Sequence, residues 1–369
     1  MKLLVQPGDG ISELVKGIDR AKKSVAILIF RFDRAEIERA LENAAKRGVL
    51  VHALIAYTNR GGENRLRQLE TRLLAAGVTV ARTSNDLVRY HGKMMIIDRR
   101  ILFLFAFNFT KLDIEHSRTF AVITKNSKLV QEAGKLFEAD TKRQPYTPSL
   151  ATFVVSPLNA RKELSSFLKA ARKELLIYDP IISDPAMIRL LEERGKAGVE
   201  IKIIGKLTRK SSTMKVCSPP IRLHTRTIVR DQQQVFIGSQ SLRKPELDAR
   251  REVGIIFRDP KVVSRLTKTF EDDWSLPELP KEQPGDKKAE PAGKTAKKVA
   301  KAFAKDMPSM APALKQVFED VMGDAKAIKL NATEVEETVK EAVKEAIKEV
   351  VKDAILEAAV QKAAAVEEK

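Results

Sequence analysis

The feature that most constrains the fold is an internal repeat. The segment that starts at Val5, VQPGDGISELVKGIDRAKKSVAILIF, lines up with VSPLNARKELSSFLKAARKELLIYDP, which starts at Val155, at an offset of 155 − 5 = 150. Further on, HGKMMIID (residues 91–98) lines up with HTRTIVRD (residues 224–231) at an offset of 224 − 91 = 133. Self-similarity at a fixed offset predicts two copies of one structural unit. The change in offset places 17 extra residues in the first copy, near TNRGGENRLRQLETRLLAAGVTVA.

Each copy alternates helix and strand patterns. An amphipathic helix from Ile11 to Ile18 leads to the strand SVAILIF, then to the helix IERALENAAKRG and the strand VLVHALIA. Gly48 and Gly198 stand where a helix C-terminus favours a residue that tolerates positive φ. Near-continuous apolar strands between helices indicate a sheet covered on both faces. We therefore expect an α/β fold of two α/β/α layered repeats related by a pseudo-two-fold axis, followed by a C-terminal helical tail.

The repeats and the composition predict four segments. The two copies occupy residues 1–145 and 150–276, a Pro-, Lys- and Ala-rich flexible linker occupies residues 277–308, and a helical tail occupies residues 309–369. In the tail, Thr333 begins a capping-box pattern, and an apolar row recurs at four-residue spacing: Val335, Val339, Val343, Ile347, Val351 and Ile355. This row favours self-association or a partner helix, although the four-residue spacing is not that of a heptad and defines no coiled-coil register. A solvated helix of high intrinsic propensity is the alternative.

The excess of basic residues lies in the repeats. The chain holds 67 Lys and Arg against 49 Asp and Glu, and the part from Ser275 onward contributes 17 lysines and 18 acidic residues. The part that ends at Trp274 therefore holds 67 − 17 = 50 basic and 49 − 18 = 31 acidic groups. Such an excess favours polyanionic partners, either an anionic phospholipid or membrane surface or a nucleic acid.

Several protein classes are disfavoured by the sequence. No stretch has the length of a membrane span, and the start, MKLLVQPGDGISELVK, lacks the sustained apolar segment of a signal peptide. We expect a cytoplasmic protein, with peripheral attachment to the inner face of a membrane left open. A single cysteine, Cys217, excludes an internal disulfide, and four histidines are too few for a Cys/His metal cluster. No metal and no other cofactor are expected.

The two histidine motifs predict the chemistry. In each motif a cation follows the histidine by two residues, Lys93 or Arg226, and strand alternation would point both side chains to one face. In both motifs six residues separate the aspartate from a four-residue cluster that ends in a polar side chain, FAFN ending in Asn108 or GSQS ending in Ser241. Two such units that face each other suit a phosphodiester, because cations and amides neutralise its oxygens. One imidazole then attacks phosphorus and the other protonates the leaving oxygen.

These residues resemble the phospholipase D superfamily, whose pattern H-x-K-x4-D-x6-G-S-x-N occurs twice. The first copy departs from the Gly-Ser pair with Phe105-Ala106, and the second departs from Lys and Asn with Arg226 and Ser241. The resemblance extends from Val5 to Trp274. It implies the fold of that superfamily and a phosphodiesterase or phosphatidyltransferase that forms a covalent phosphohistidine.

The resemblance also implies roles for individual residues. The catalytic set is His91, His224, Lys93, Arg226, Asn108 and Glu252. His91 would be the nucleophile and His224 the general acid, an assignment that the resemblance leaves reversible. Glu252 would fix the tautomer of one histidine, and its counterpart in the first copy is Thr119. The remaining roles are substrate binding by Gly238, Ser239 and Ser241, and structural salt bridges by Asp98 and Asp231.

The sequence leaves the substrate class open. Phospholipid is preferred because many members of the superfamily act on phospholipids, and a nuclease is the second reading. A degenerate protein that binds anionic lipid or DNA without turnover is the third, and Arg226, Ser241 and Phe105-Ala106 keep it open. Two basic loops that precede the histidines, TSNDLVRYHGK and TRKSSTMKVCSPPIR, either line the cleft or are solvated. His52 and His116 are interpreted as structural.

Overall fold

The computed structural model describes residues 1–57, 63–209 and 211–276. These residues lie in one compact unit. None of the described helices combines the length and the apolar composition that crossing a membrane requires. The predicted linker (277–308) and the predicted helical tail (309–369), with its self-association, lie outside the described residues.

The first copy forms a mixed sheet with helices on both faces. Its sheet has the strand order β1-β8-β7-β6-β2-β3-β4, in which β2, β3 and β4 run parallel and the other neighbours run antiparallel. The elements in chain order are β1 (Lys2–Gln6), α1 (Ser12–Asp19), β2 (Ser24–Ile29), α2 (Ala35–Lys46), β3 (Leu50–Ile55), α3 (Glu63–Ala75), β4 (Thr79–Arg82), β5 (Arg89–Tyr90), β6 (Met94–Ile97), β7 (Ile101–Phe105), α4 (Lys111–Glu115), β8 (Ser117–Thr124) and α5 (Ser127–Lys142).

The second copy repeats this topology. Its sheet has the order β12-β11-β10-β14-β15-β17-β9, which matches the first sheet strand for strand when read from the opposite edge. The elements are β9 (Phe153–Val155), α6 (Ala160–Lys169), β10 (Glu174–Ile182), α7 (Pro185–Lys196), β11 (Glu200–Leu207), β12 (Lys215–Cys217), β13 (Arg222–Leu223), β14 (Arg226–Arg230), β15 (Gln234–Gly238), α8 (Lys244–Asp248), β16 (Arg250–Arg251), β17 (Val253–Phe257) and α9 (Pro260–Trp274). The 17-residue excursion of the first copy contains α3, which has no counterpart among the described residues of the second.

Both faces of each sheet are covered, as the apolar strands predicted. Along β2, Leu28 packs into a core that both copies share, while Ile27 and Ile29 pack into an outer core with α1 and α2. The shared core also contains α5 and α9, and the outer core of the second copy contains α6 and α7. Gly48 and Gly198, just after α2 and α7, adopt φ of 82° and 89°, which confirms the predicted helix ends.

Two arginine–aspartate pairs, each with a buried carboxylate, link the two copies to each other. Arg118 donates from Nε and Nη2 to the carboxylate of Asp273, at 2.7 and 2.8 Å. Its counterpart Arg251 lies 3.2 Å from Asp140, from Nε to Oδ1. Arg118 and Arg251, like Asp140 and Asp273, are separated by the same repeat offset as the two histidine motifs. The interface therefore contains the same contact twice in opposite directions, as in a symmetric dimer.

Asp98 and Asp231 stabilise two equivalent hairpins. Asp98 accepts hydrogen bonds from the backbone N–H groups of residues 22–24, at 2.7 to 3.1 Å. Asp231 accepts them from residues 172–174 over the same range of distances. The partners of both carboxylates are thus backbone amides, where the sequence analysis expected side-chain cations. Both aspartates join the end of one strand to the start of its neighbour.

Candidate active site

The segments just ahead of β6 and β14 carry the two predicted histidines. His91 and Lys93 precede β6, and His224 precedes β14, so strand alternation within those strands does not place them as the sequence analysis expected. Each segment is held instead by a strand of the other copy. β5 pairs with β16, and the His91 N–H donates to the carbonyl of Arg251 at 2.7 Å. β13 pairs with β8, and the His224 N–H donates to the carbonyl of Arg118 at 3.1 Å.

His91 is held on both ring nitrogens. Its Nδ1 lies 2.9 and 3.0 Å from the carboxylate oxygens of Glu252, which belongs to the second copy. Its Nε2 lies 2.8 Å from Nζ of Lys93, and the ring of Phe30 contacts the imidazole edge-on at a centroid distance of 4.5 Å. Because a carboxylate only accepts hydrogen bonds, Nδ1 carries the proton and the lone pair of Nε2 faces Lys93. Nε2 is therefore the ring nitrogen that carries an available lone pair.

Burial shapes the charges around His91. Burial, reinforced by Lys93 and by Arg89, lowers the pKa of His91 well below its ordinary value. Burial also lowers the pKa of Lys93 well below its ordinary value, although Glu252 opposes this shift. The same burial raises the pKa of Glu252 to about 7, against the opposing charge of Lys93. The low pKa of His91 favours the neutral form of the imidazole at neutral pH.

His224 has a different environment. Its Nδ1 lies 3.2 Å from Nη2 of Arg222 and 3.3 Å from Oδ1 of Asp113, and its Nε2 lies 3.5 Å from Nδ2 of Asn108. Thr119, which stands where the second copy has its glutamate, donates from Oγ1 to the main-chain carbonyl of His224 at 2.8 Å and not to the ring. Burial lowers the pKa of His224 well below its ordinary value, although Asp113 opposes the shift. Asp113 is thus the carboxylate beside this second imidazole.

Lys93 and Arg226 supply positive charge to both histidines. Each of these cations contributes to the low pKa of His91 and of His224. Arg226 donates from Nε to Oγ of Ser241 at 3.0 Å. The side-chain amide of Asn108 donates from Nδ2 to Oδ2 of Asp113 at 2.8 Å, and the same Nδ2 lies 3.5 Å from Nε2 of His224. The polar groups expected to hold phosphate oxygens therefore lie in one place.

Asp113 and Glu246 were missed by the sequence analysis. Asp113 accepts the backbone N–H of Asn108 at 2.9 Å, and Glu246 accepts that of Ser241 at 2.8 Å. Burial opposes ionisation of Asp113, yet His224 and Arg222 hold its pKa well below the ordinary value. Asp113 and Glu246 are separated by the same offset as the two histidines, so the repeat was also a signal for these carboxylates.

Gly238 and Ser239 lie beneath the site. A Cβ at Gly238 would approach the Cα of Gly254 to 2.8 Å, so this glycine permits close packing of β15 on β17. The Ser239 hydroxyl accepts the N–H of Val253 at 3.1 Å and also lowers the pKa of Glu252 against the larger effect of burial. The contacts of both residues are thus with the protein scaffold.

Basic residues of the loop that precedes His224 differ in their contacts with the site. Arg222 reaches His224, whereas Lys215 pairs with Glu200 at 2.9 Å. Lys210 lies outside the described residues.

His52 contacts Phe137 edge-on at a centroid distance of 5.3 Å, within the first copy. Within the described ranges, no group of three or more metal-ligating side chains could hold a metal ion.

Replacing Glu252 with glutamine is expected to lower kcat about 10²-fold and to flatten its pH dependence. The ionised carboxylate accepts the Nδ1–H of His91 and offsets the charge that this ring gains on attack. Because the pKa of Glu252 is about 7, wild-type turnover should rise with pH through that region, and glutamine does not titrate. Profiles of kcat against pH test this. Glu138→Gln, the same change at an exposed glutamate, is the control, and an unaltered profile in Glu252→Gln would contradict the role.

The chain matches a known protein family and several curated proteins. The family model described as a cardiolipin synthase, phospholipase D-like domain, matches residues 14–141 and 164–274. The mitochondrial cardiolipin hydrolase of Danio rerio is 30% identical over 132 residues, which are 35% of this chain and 57% of that protein. The chain spans 41% to 57% of the length of the curated relatives it matches, most of which are polyphosphate kinases.

Two solved structures share the overall arrangement. The polyphosphate kinase of Porphyromonas gingivalis matches with a TM-score of 0.64 at 19% identity, over 82% of this chain and 55% of that chain. The phosphatidylserine synthase of Haemophilus influenzae Rd KW20 matches with a TM-score of 0.55 at 11% identity, over 79% of this chain and 91% of that chain. At these identities, both structures support the fold alone.

Proposed function

The chain belongs to the phospholipase D-like family, and we propose that it cleaves or transfers a phosphodiester through a covalent phosphohistidine on His91. The observation that carries the proposal is the environment of this imidazole, with Nδ1 on Glu252 and Nε2 beside Lys93. A ring held in one tautomer, neutral and next to a cation, combines a nucleophile with electrostatic stabilisation of a phosphoryl group.

The reaction has two displacements at phosphorus. In the first, Nε2 of His91 bonds to phosphorus and the bond from phosphorus to the leaving oxygen breaks. His224 gives a proton to that oxygen from its protonated form, which the charge of Asp113 favours. In the second, His224 takes a proton from water or an alcohol, whose oxygen bonds to phosphorus while the bond to Nε2 breaks. Lys93, Arg226 and Asn108 bind the non-bridging oxygens in both steps. Hydrolysis and transfer differ only in the acceptor.

Phospholipid is the proposed substrate class. One similar curated protein is named as a cardiolipin hydrolase, and the matching family model is described as a cardiolipin synthase, phospholipase D-like domain. The basic excess of the two repeats suits an anionic membrane surface, and peripheral location at such a surface stays a prediction. A nuclease would use the same chemistry on a different leaving group, so DNA belongs in the same assay.

A substrate panel with detection of the covalent intermediate tests the proposal. We would measure turnover of bis(p-nitrophenyl) phosphate, a fluorescent phosphatidyl lipid and plasmid DNA, and would search acid-free quenched samples for phosphohistidine by mass spectrometry. Turnover of the lipid with the modification on His91 supports the proposal, whereas faster turnover of DNA makes the protein a nuclease. No turnover, with salt-sensitive binding to DNA or anionic vesicles, would favour the binding-only alternative.

The double variant Arg226→Lys with Ser241→Asn is expected to lower turnover about 10-fold. It restores the superfamily pattern but removes the bond from Arg226 Nε to Ser241 Oγ, and a lysine has a different reach and no planar fork. Steady-state kinetics on the best substrate of the panel measure the effect, with Arg99→Lys on an exposed hairpin as the control. A gain in turnover would mean that the second motif is degenerate.

A further inference from the structure

Arginine stands two residues before His91, at Arg89 in β5, and two residues before Glu252, at Arg250 in β16. β5 and β16 run parallel, with Arg89 in register with Arg250. The His91 N–H continues the pairing of these strands to the carbonyl of Arg251, so side-chain alternation extends to residue 91 and places Arg89 on the same face as His91. Arg250, in register with Arg89, lies on that face as well. Two residues of extended chain span about 7 Å. We call Arg89 and Arg250 the arginine pair, which lies one step out from the catalytic histidine.

Neighbouring contacts support this orientation. The next registered partners, Tyr90 and Arg251, meet on the opposite face, where the guanidinium carbon of Arg251 lies 5.6 Å from the centroid of the Tyr90 ring. The guanidinium carbon of Arg89 lies 5.4 Å from the centroid of Phe30, the ring that contacts His91. Both arginines are only partly buried, and their charges contribute to the low pKa of His91. The pair therefore lies beside the histidine, at the edge of the site.

The equivalent position beside His224 lacks such a pair. Its equivalent strands, β13 and β8, place Arg222 in register with Ser117. Nη1 of Arg222 donates to Oδ1 of Asp113 and to Oγ of Ser117, both at 2.7 Å. The repeat is thus asymmetric at this position, with two arginines on the His91 side and one arginine, bound to first-copy side chains, on the His224 side.

Arg250 retains capacity for a further acceptor. Its Nη1 donates to Oε1 of Glu246 at 3.1 Å, which uses one of the five N–H donors of a guanidinium. Its Nε is buried and has no hydrogen-bond partner among the residues that the structure describes. Two neighbouring guanidinium groups bind a phosphate well, because each presents a planar fork to the anionic oxygens.

We propose that the arginine pair is a second phosphate subsite, and that the substrate carries another phosphate a few bonds from the one that His91 attacks. The proposal rests on the proposed function for the attacked phosphate. Two substrates offer this chemistry: a lipid in which a glycerol bridges two phosphates, and a nucleic acid in which a nucleoside does so. The asymmetry of the pair would orient such a substrate, with its second phosphate on the His91 side.

Matched substrates that differ by one phosphate test the subsite. The nucleotide arm compares thymidylyl-thymidine with its 5′-phosphorylated form, and the lipid arm compares short-chain phosphatidylglycerol with short-chain phosphatidylglycerol phosphate. In the arm that is turned over, wild-type kcat/KM should be about 10- to 100-fold higher for the substrate with two phosphates. Arg89→Gln should reduce this ratio to near one, mainly through KM. Arg89→Lys should keep part of the preference, and Arg99→Gln, at an exposed hairpin arginine, should keep all of it.

The outcomes separate the subsite from the proposed function. Equal loss for both substrates of an arm in Arg89→Gln would overturn the subsite, because the arginine would then act only through His91. An unchanged preference would overturn it as well. If the wild type turns over none of the four compounds, the proposed function fails. Calorimetric measurement of the binding of the same compounds then tests the subsite. Tighter binding of the compounds with two phosphates, lost in Arg89→Gln, would support it, and equal binding would overturn it.

Discussion

His91→Ala is expected to lower kcat by at least about 10³-fold and to abolish the phosphohistidine. The substitution removes the atom that bonds to phosphorus, and no other described imidazole has a carboxylate at Nδ1 and a lysine at Nε2. Steady-state turnover and mass spectrometry of quenched enzyme measure the two effects. His116→Ala, at an exposed histidine, is the control and should leave both unchanged.

His224→Ala separates the general acid from the nucleophile. With bis(p-nitrophenyl) phosphate the leaving group needs little protonation, so the variant should release one equivalent of nitrophenolate in a burst and accumulate the intermediate on His91. With an alkyl leaving group the same variant should be about as slow as His91→Ala. A burst in His91→Ala and none in His224→Ala would reverse the two roles.

Arg118→Met is expected to lower the free energy of unfolding by about 3 to 5 kcal/mol. The change leaves the carboxylate of Asp273, which is only 1% exposed, without the cation that now binds it through two hydrogen bonds. Urea denaturation followed by circular dichroism measures the loss. Adding Asp273→Asn should recover part of it, because the unpaired buried charge is then removed.

A surface pair provides the control for that comparison. Arg99 is 84% exposed and lies 3.2 Å from Glu138, so Arg99→Met should change the free energy of unfolding by less than about 1 kcal/mol. Equal effects of the two substitutions would show that the buried pair does not fasten the copies. Arg251→Met should fall between them, since Arg251 reaches Asp140 at 3.2 Å and burial raises the pKa of Asp140 to about 6.

Much of the candidate site was predictable because each copy of the repeat contains a histidine motif. His91 and His224 recur at one offset with a cation two residues on, and the structure brings both motifs together. The strands that hold them were harder to predict. β5 and β13 are two residues long, too short for a periodic pattern, and each is stabilised by a partner strand in the other copy. The repeat offset could have identified Asp113, but this residue lies outside the histidine motif.

The sequence by itself determined the duplication, the α/β layers and the identity of the paired imidazoles, because apolar periodicity and repeated motifs are local signals. Only the tertiary structure decided how the two halves of the site differ. His91 meets Glu252 across 161 residues of chain, while His224 meets Asp113 and Arg222, and Thr119 turns to a main-chain carbonyl. Contacts between copies depend on the packing of two sheets about a shared core, and no periodicity within a single strand or helix encodes that packing.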